Sequence, residues 1–342
     1  MRVTIRTIAE AAGVSVPTVS RVLNCPERVR PETRERVLHA VRSLNFYPNE
    51  SARRLRWNDS RTIGAIFPQI RDFFFSEIYK GMYDAASAAG VNLLLYDAQS
   101  DGERLIAGFD SLKRRQCRGI LFSSQHISAE LARAMADAKL PVVLVLTEGG
   151  GMPAFKVDEA GAAADAVAHL AARGHRAIAM ISGPVEDPIA GLGRLNGYRR
   201  ALRRLGLPAR REWIAHGNFR FEHGYLAMRE LLAQRRTADG FTAVFAASDE
   251  MALGAMRCLH ESGLRVPDDI SVIGFDNVRV ADMVTPKLTT VAQPFEDIGA
   301  RAVRRLLDPP GEDAAKERTQ TVYLPHRIVE RESVGPHPCD SS

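Results

Sequence analysis

The chain has little cysteine, no long apolar run and no sign of a secretory signal. Its 342 residues include four cysteines, none in a C-x-x-C pair, so we expect reduced thiols rather than a disulfide framework. No apolar stretch approaches the ~20 residues that a membrane helix needs. The N-terminus lacks the apolar region of a signal peptide. These absences favour a soluble, cytoplasmic protein.

Sequence patterns of common catalytic and metal sites are also missing. The chain has no G-x-S-x-G, no phosphate loop ending in G-K-[ST] and no G-x-G-x-x-G. The run Gly149–Gly151 lacks the lysine that a phosphate loop requires. The nine histidines form no H-E-x-x-H or comparable ligand spacing. We therefore expect no enzyme activity, no bound metal and no cofactor.

Positive charge is concentrated at the N-terminus. Residues 1–60 contain eleven arginines and no lysine against six acidic residues, which accounts for the whole +5 net charge of the chain. Clustered arginine is suited to neutralising DNA phosphates and releasing counterions. A solvated basic face is the less favoured alternative.

The segment Thr4–Asn24 has the pattern of two short amphipathic helices joined by a tight turn. Four apolar residues form one helical stripe, namely Ile5, Ile8, Ala9 and Ala12. Gly13 is suited to end the first helix, and Ser15 to cap the second. The pattern predicts a helix-turn-helix that enters the major groove of DNA.

The second helix of this segment has an apolar side and a side left for DNA. The inward residues are Val19, Val22 and Leu23, and those left available are Val16, Pro17, Thr18, Ser20 and Arg21. A third helix follows, with Pro31 near its start. A three-helix bundle without any ligand is the alternative, and the arginine excess disfavours it.

A short segment after the third helix has the pattern of a helix that would form only against a partner. Asn49 can cap about two turns, which are marginal alone and are expected to order against DNA or a second copy. Leu55 is surrounded by Arg53, Arg54 and Arg56. We interpret it as a wedge inserted into the minor groove, with a small packing contact to the next domain as the alternative.

From Arg61 onward, apolar strands alternate with helices such as Ser76–Ala89. The predicted strands are Thr62–Phe67, Asn92–Tyr96, Gly119–Phe122, Val142–Leu146, Ala177–Ser182, Ala243–Ala246 and Ile270–Gly274. This alternation predicts an α/β fold with parallel sheets covered by helices, and the number of units favours two lobes. Ligands are then expected beyond the carboxyl ends of the strands.

The loops after these strands contain aromatic rings, an arginine and carboxylates. Phe73–Phe75 follow the first strand, Arg194 lies beyond a later one, and Ser248-Asp249 and Asp276-Asn277 follow others. This chemistry suits a polyhydroxylated ligand, because charged groups fix hydroxyls and rings cover the apolar sugar face. The phenylalanines could instead belong to the core, which is the favoured interpretation for Phe75.

Several segments together resemble the lactose-repressor (LacI/GalR) family of bacterial transcription regulators, over roughly residues 3–333. They are TIRTIAEAAGVSVPTVSRVLN, RPETRERV with LNFYPN, SARRL, SDEMALGAM, GLRVPDDISVIGFDN and PKLTTVAQP. The resemblance implies a DNA-binding domain at 1–47 and a hinge helix with linker at 48–60. It also implies a core like that of periplasmic sugar-binding proteins at 61–333, with two discontinuous lobes (61–159 with 293–322, and 160–292 with 323–333) and a short tail at 334–342.

The resemblance also implies site residues and a homodimer bound to pseudo-palindromic operator DNA. DNA contacts are expected at Thr4, Ser15, Val16, Pro17, Thr18, Ser20, Arg21, Asn24, Arg28, Asn49, Ala52 and Leu55. Effector contacts are expected at Phe73, Phe74, Arg194, Phe219, Ser248, Asp276 and Phe295. The side chain of Pro17 has no hydrogen-bond donor and would read bases by apolar contact, whereas Arg21 would donate hydrogen bonds to guanine.

The chain departs from the family pattern at the ligand loops and the C-terminus. Leu146 stands where many sugar-responsive members have Asp, and Ser248 stands where Asn is common. Arg71-Asp72-Phe73 replaces Ser-Asn-Pro, so that Arg71 would allow an acidic ligand such as a sugar acid or phosphosugar. The tail lacks the leucine-heptad helix of tetrameric relatives, which favours a dimer.

These observations predict a transcriptional regulator, most simply a repressor, controlled by a small molecule bound between the lobes. Two alternatives remain open at this point. The core could respond to a partner protein, or the chain could be a solute-binding protein without control of DNA.

Overall fold

The computed structural model describes residues 3–46, 61–99, 101–124, 126–235, 240–309 and 319–337. The chain divides into two compact units, residues 1–60 and residues 61–342. We call them the head and the core.

The head is a bundle of three helices, α1 (Ile5–Ala12), α2 (Val16–Asn24) and α3 (Pro31–Ser43), with a 3₁₀ turn at Pro26–Arg28. Gly13 has φ +62° and ends α1, a conformation that glycine adopts without strain. The Ser15 side chain accepts a hydrogen bond from the Thr18 amide and so caps α2. Buried apolar residues from all three helices form the bundle core, namely Ile8, Ala9, Ala12, Val19, Val22, Val37 and Ala40. The helix-turn-helix prediction is confirmed at the level of structure.

The core contains two six-stranded sheets, which define a first and a second lobe. The first sheet has the order β11-β5-β4-β3-β1-β2, and all its pairings are parallel. Its strands are β1 (Thr62–Phe67), β2 (Asn92–Asp97), β3 (Ile120–Phe122), β4 (Val142–Val145), β5 (Ala154–Lys156) and β11 (Thr321–Tyr323).

The second sheet has the order β12-β10-β9-β8-β6-β7, with an antiparallel edge strand, β12, on an otherwise parallel sheet. Its strands are β6 (Ile178–Ser182), β7 (Ile214–His216), β8 (Ala243–Ala246), β9 (Ser271–Asp276), β10 (Thr289–Ala292) and β12 (Arg327–Val329). Most of these strands are buried along their whole length, which is typical of sheets covered on both faces.

Helices cover both sheets. They are α4 (Phe75–Ala88), α5 (Gly102–Arg114), α6 (Ala129–Ala138), α7 (Glu159–Ala172), α8 (Gly191–Leu205), α9 (Phe221–Gln234), α10 (Asp249–Glu261) and α11 (Phe295–Leu307). Short 3₁₀ turns lie at Arg211–Trp213 and Arg279–Asp282. Helices α4 and α11 pack so closely that a Cβ added at Gly81 would lie 2.0 Å from the backbone oxygen of Glu296.

The chain passes between the lobes three times. It leaves the first sheet after β5, returns between β10 and α11, and crosses again between β11 and β12. Both lobes are therefore built from discontinuous segments. Two residues at the expected lobe boundaries belong to the other lobe than expected. Tyr323 pairs within the first sheet, and Glu159 begins a helix of the second lobe.

The structure corrects several element ends and adds strands that the sequence analysis missed. Strand β2 extends to Asp97, and β9 runs from Ser271 to Asp276 instead of ending at Gly274. Strand β4 ends at Val145, because Leu146 has φ +59° and leaves the extended conformation. The added strands have only three or four residues each and were too short to produce a recognisable pattern, namely β5, β7, β10, β11 and β12.

Within the described residues, no helix combines the length and apolar character required to cross a membrane. The cysteines in this part of the chain, Cys25, Cys117 and Cys258, are free thiols. Cys339 lies outside the described residues.

Candidate functional site

One surface of the head is formed by the outward side of α2. Pro17 and Arg21 are exposed and lie one helical turn apart, on the side away from the buried Val19 and Val22. This face of α2 presents two side chains of different chemistry to a binding partner, the apolar ring of Pro17 and the guanidinium of Arg21.

The other predicted DNA contacts have more varied positions. Thr4 and Ser15 are exposed, and both use their hydroxyl groups to cap helices. Arg28 is exposed, Thr18 and Ser20 are half-buried, and Asn24 is the last residue of α2. Three expected contacts, Asn49, Ala52 and Leu55, lie outside the described residues.

Val16, another predicted DNA contact, is half-buried and packs against the apolar core of the bundle. Its contact with DNA stays a prediction. Val16 occupies the first turn of α2, where the chain enters the helix next to the turn after Gly13. Part of its side chain is therefore used for packing.

A cleft of about 850 Å³, including its mouth, lies in the core where the carboxyl ends of strands from both lobes meet. All seven residues that the sequence analysis named as effector contacts line it, namely Phe73, Phe74, Arg194, Phe219, Ser248, Asp276 and Phe295. They come from loops, helix N-terminal turns and a strand end in six separate segments of the chain, and all lie at this end of the sheets.

Arg194 is the buried cation of the cleft. Its Nε donates to Oε2 of Glu159 over 2.7 Å, and its Nη1 donates to the carbonyl oxygen of Ala247. The guanidinium carbon lies 3.8 Å from the centre of the Phe275 ring, and Nη2 lies 3.7 Å from Oδ1 of Asp276. These contacts fix the plane of the guanidinium within the second lobe.

Asp276 faces Arg194 from the end of β9. The amide Nε2 of Gln293 donates to its Oδ1 over 2.8 Å. Burial raises the pKa of Asp276 to about 7, and the nearby Arg194 opposes that rise. Burial therefore favours the neutral form of this carboxyl group.

A second acid, Asp249, lies behind Asp276. It is fully buried and accepts hydrogen bonds from the Val278 amide and the Thr290 hydroxyl. Burial, together with the neighbouring Asp276, raises its pKa well above the ordinary value. Asp249 lies at the start of α10 and ties that helix to the loop after β9 and to β10, so its role is structural.

Aromatic rings form the first-lobe wall of the cleft. Phe74 and Phe295 stack with ring centres 5.3 Å apart, while Phe73 is about half exposed. Phe75 instead packs edge-on against Phe67 in the core of the first lobe, as the sequence analysis favoured. The rings that line the cleft offer apolar faces to a flat or ring-shaped ligand.

A salt bridge links the two lobes beside the cleft. Nη2 of Arg220, directly before α9 in the second lobe, lies 2.6 Å from Oδ1 of Asp72 in the first lobe. Arg220 also lies 3.8 Å from Glu250. Burial raises the pKa of Asp72, and the hydrogen bond from Arg220 counteracts it.

The structure changes the interpretation of the family departures. Arg71 is exposed and is not part of the cleft lining, so it does not supply the cation that an acidic ligand would need. Ser248 caps α10 by accepting from the Met251 amide at 3.1 Å, and it donates to the Phe219 carbonyl. Leu146 lines the cleft as an apolar residue.

Six polar residues of the lining were missed, namely Ser123, Ser124, Glu159, Asp187, Glu250 and Gln293. Asp187 accepts from the backbone amides of Ile189 and Ala190, both at 2.9 Å, and burial raises its pKa. Glu159 and Gln293 lie where the chain crosses between the lobes. Their sequence neighbourhoods resemble ordinary helix starts, and no local pattern would have identified them.

Three residues that line the cleft have a positive φ. Leu146, Phe219 and Asp276 have φ values of +59°, +70° and +122°. Each such conformation costs on the order of 1–3 kcal/mol in a residue with a side chain, and it persists where the surrounding structure enforces it. In the described part of the chain, no group of three histidine, cysteine or acidic residues is arranged to hold a metal ion.

Comparisons with known proteins agree with this architecture. Residues 4–49 match the family described as bacterial regulatory proteins, lacI family, and residues 167–334 match a periplasmic binding protein-like domain. Catabolite control protein A of Priestia megaterium is 37% identical over 335 residues, which covers 97% of this chain and 99% of that protein.

Two solved structures extend the similarity to three dimensions. The lac repressor dimer bound to operator and the anti-inducer ONPF has a TM-score of 0.86 and 28% identity, covering 98% of this chain and all of that one. The complex of the transcriptional regulator CelR with cellobiose has a TM-score of 0.71 and 32% identity, covering 97% and 100%. With its head, its two-lobed core and relatives matched over nearly their full length, the chain belongs to the LacI family of bacterial regulatory proteins.

Proposed function

We propose that the chain is a transcriptional repressor whose affinity for operator DNA is set by a small molecule in the cleft between its lobes. The observation that carries the proposal is that seven residues from six separate segments of the chain line one cleft. The arginine-rich head with Pro17 and Arg21 on an open helix face supports the DNA half of the proposal.

The proposed control depends on two arrangements of the lobes. A ligand shifts operator affinity only by as much as its affinity differs between those arrangements. The Asp72–Arg220 bridge and the three chain crossings are the elements that would have to adjust. We further propose that the effector is sugar-like, since the related CelR structure is a complex with cellobiose.

We also propose that the protein acts in the cytoplasm as a homodimer on a pseudo-palindromic operator. The related lac repressor structure is a dimer bound to operator. Two heads would then read two half-sites, so that operator symmetry mirrors protein symmetry. Asn49, Ala52 and Leu55 are proposed to add contacts in the minor groove.

The DNA half is tested with Arg21→Ala and operators selected from randomised duplexes. Loss of a bidentate contact to guanine should weaken cognate binding by about 1–3 kcal/mol and relax the base preference at one position. Fluorescence anisotropy across single-base operator variants measures both effects. Binding of the unaltered protein should also weaken steeply with salt.

Arg34→Ala is the matched control, because Arg34 is exposed on α3. Removing it should change affinity equally on all sequences. If Arg21→Ala also weakened every sequence equally, Arg21 would not read a base. If DNA binding by the unaltered protein showed neither a sequence preference nor a dependence on salt, the proposal that it is a regulator would be wrong.

The effector half is tested by thermal stabilisation in the presence of sugars, sugar acids and nucleosides, followed by operator titration with each compound that binds. A compound that stabilises the core should also change operator affinity. If no compound bound while operator binding persisted, the core would respond to a partner protein instead.

A further inference from the structure

The charged side chains that line the cleft are mainly acidic. Among the described residues, five carboxyl groups line it, those of Asp72, Glu159, Asp187, Glu250 and Asp276, against the single guanidinium of Arg194. Arg220 compensates Asp72 and approaches Glu250 beside the cleft. An anionic ligand would therefore meet a surplus of negative charge.

Two of the three nitrogen atoms of the Arg194 guanidinium already donate a hydrogen bond to the protein. Glu159 accepts a hydrogen bond from Nε of Arg194 and balances its charge, and the carbonyl oxygen of Ala247 accepts a hydrogen bond from Nη1. The remaining Nη2 faces Asp276 at 3.7 Å. Arg194 is therefore poorly placed to hold a ligand carboxylate or phosphate by a bidentate pair.

A buried acceptor in the lining has no donor. The Oε1 atom of Gln293 lacks a hydrogen-bond partner among the described residues, although its side chain is about nine-tenths buried. Its Nε2 donates to Asp276, so the amide orientation is fixed by that bond. A buried acceptor of this kind is normally satisfied, which indicates that a donor arrives with the ligand.

We infer that the effector is a polyhydroxylated molecule bearing a protonated amino group, an amino sugar in chemical class, with its ammonium group beside Asp276 and Oε1 of Gln293. The inference rests on the proposed function and deepens it. The stacked rings of Phe74 and Phe295 cover the apolar face of the sugar ring.

The electrostatics of the cleft agree with this assignment. Burial raises the pKa of Asp276 to about 7 even with Arg194 beside it. The charges of Glu159 and Asp72 raise this pKa further, and Asp249 is a second buried acid behind Asp276. A bound cation would offset the negative charge of this group of acids, whereas a neutral sugar would not.

The test compares matched forms of the same sugars by calorimetric titration of the full chain in neutral buffer. The probes are glucose, galactose and mannose, each as the hexose, the 2-amino-2-deoxy sugar and the hexonate. At least one aminated sugar should bind about tenfold or more tightly than its parent hexose, and no hexonate should bind. Failure of every aminated sugar to bind overturns the inference, and so does a hexonate or hexose that binds as tightly.

Two variants test the location of the ammonium group. Gln293→Glu adds a carboxylate of the same shape and should raise the preference for the aminated sugar over the hexose several-fold. Asp276→Asn should reduce that preference. Asp110→Asn is the matched control, since Asp110 is exposed on α5, and it should leave the preference unchanged. Equal preference in all three variants would contradict the assigned position.

Operator titrations separate this inference from the proposed function. If a neutral or anionic sugar changes operator affinity, the proposal of an effector site is supported and the inference that the effector bears an amino group is wrong. If no small molecule binds the cleft or changes operator affinity, effector control and the amine assignment fail together, while sequence-specific DNA binding is measured independently.

Discussion

Arg194 is a buried charge whose partners belong to separate elements. Glu159 begins α7, Ala247 follows β8 and Asp276 ends β9. The arginine therefore holds the second-lobe side of the cleft in one arrangement. Its removal leaves a buried carboxylate without its cation, a change that is usually more costly than the pair itself is stabilising.

Arg194→Ala should lower the free energy of unfolding of the core by about 3–5 kcal/mol and abolish the effector response. Chemical denaturation and operator titration with an identified effector measure the two effects. Arg199→Ala is the matched control, because Arg199 is exposed on the same helix. An unchanged effector response in a folded Arg194→Ala protein would place the ligand elsewhere.

His175 makes the stability of the second lobe depend on pH. Its Nδ1 contacts the Thr242 hydroxyl at 2.9 Å, its Nε2 contacts the Gly335 carbonyl at 3.2 Å, and burial lowers its pKa to about 4. Between that value and the ordinary 6.5, the unfolded chain binds the proton and the folded chain does not. The contribution is fully present above pH 6.5 and is lost as the pH falls towards 4.

His175→Gln should remove about 3 kcal/mol of pH-dependent stability across this window, at ~1.4 kcal/mol per unit of pKa difference. Denaturation series from mildly acidic to neutral pH measure the slope. His260→Gln, at an exposed position of α10, should keep the slope of the unaltered protein. The same slope in both variants would show that His175 is not the titrating group.

Residues with local roles could be predicted from the sequence, and residues with long-range roles could not. Gly13 and Ser15 act within one turn of the chain, so their neighbours determine what they do. Glu159 and Gln293 acquire their roles from groups that meet them across the fold. Five of the seven effector residues follow predicted strands, where the alternation of strands and helices already placed a ligand, whereas Phe219 and Phe295 were named only by the resemblance.

At the level of elements, Gly81 allows α4 and α11 to pack closely. Both helices cover the first sheet and bring Phe74 and Phe295, at their N-terminal ends, to the cleft wall. The close approach at Gly81 leaves no room for a side chain. This helix pair therefore couples the packing of the first lobe to the aromatic wall.

Gly81→Ala should destabilise the core by about 1–3 kcal/mol, because the added methyl group would overlap the backbone of α11. Thermal or chemical unfolding measures the change. Gly102→Ala is the matched control at the start of α5, where an added Cβ meets nothing within 4 Å. Equal effects of the two substitutions would mean that α11 shifts freely, contrary to the tight packing.

Long elements were predictable from periodicity, whereas the edges of the sheets were not. The βα alternation predicted the parallel sheets correctly, because four to six apolar residues in a row produce a clear pattern. Strand β12 is three residues long and antiparallel, and its pairing with β10 depends on the path of the chain between the lobes. Such strands form where the fold presents an open edge.

At the level of the whole molecule, the Asp72–Arg220 bridge connects the two lobes beside the cleft. Both side chains are about one-quarter exposed, so the pair is only partly screened by solvent. We expect its strength to affect the balance between open and closed arrangements of the core.

A double-mutant cycle with Asp72→Asn and Arg220→Gln should give a coupling free energy of about 0.5–1 kcal/mol in the unfolding of the core. The exposed pair Lys80 and Asp84 on α4 is the matched control and should give less. Coupling no larger than that of the control pair would show that the bridge does not hold the lobes together.

The short connection between β11 and β12 has a consequence for truncated products. Those two strands, close together near the end of the chain, form one edge of each sheet. A frameshift or premature stop codon before Thr321 would thus remove a strand from both lobes at once and expose two unpaired edges. Such products are expected to be degraded, so that late nonsense mutations in this gene should behave as complete losses of the protein rather than as regulators blind to their effector.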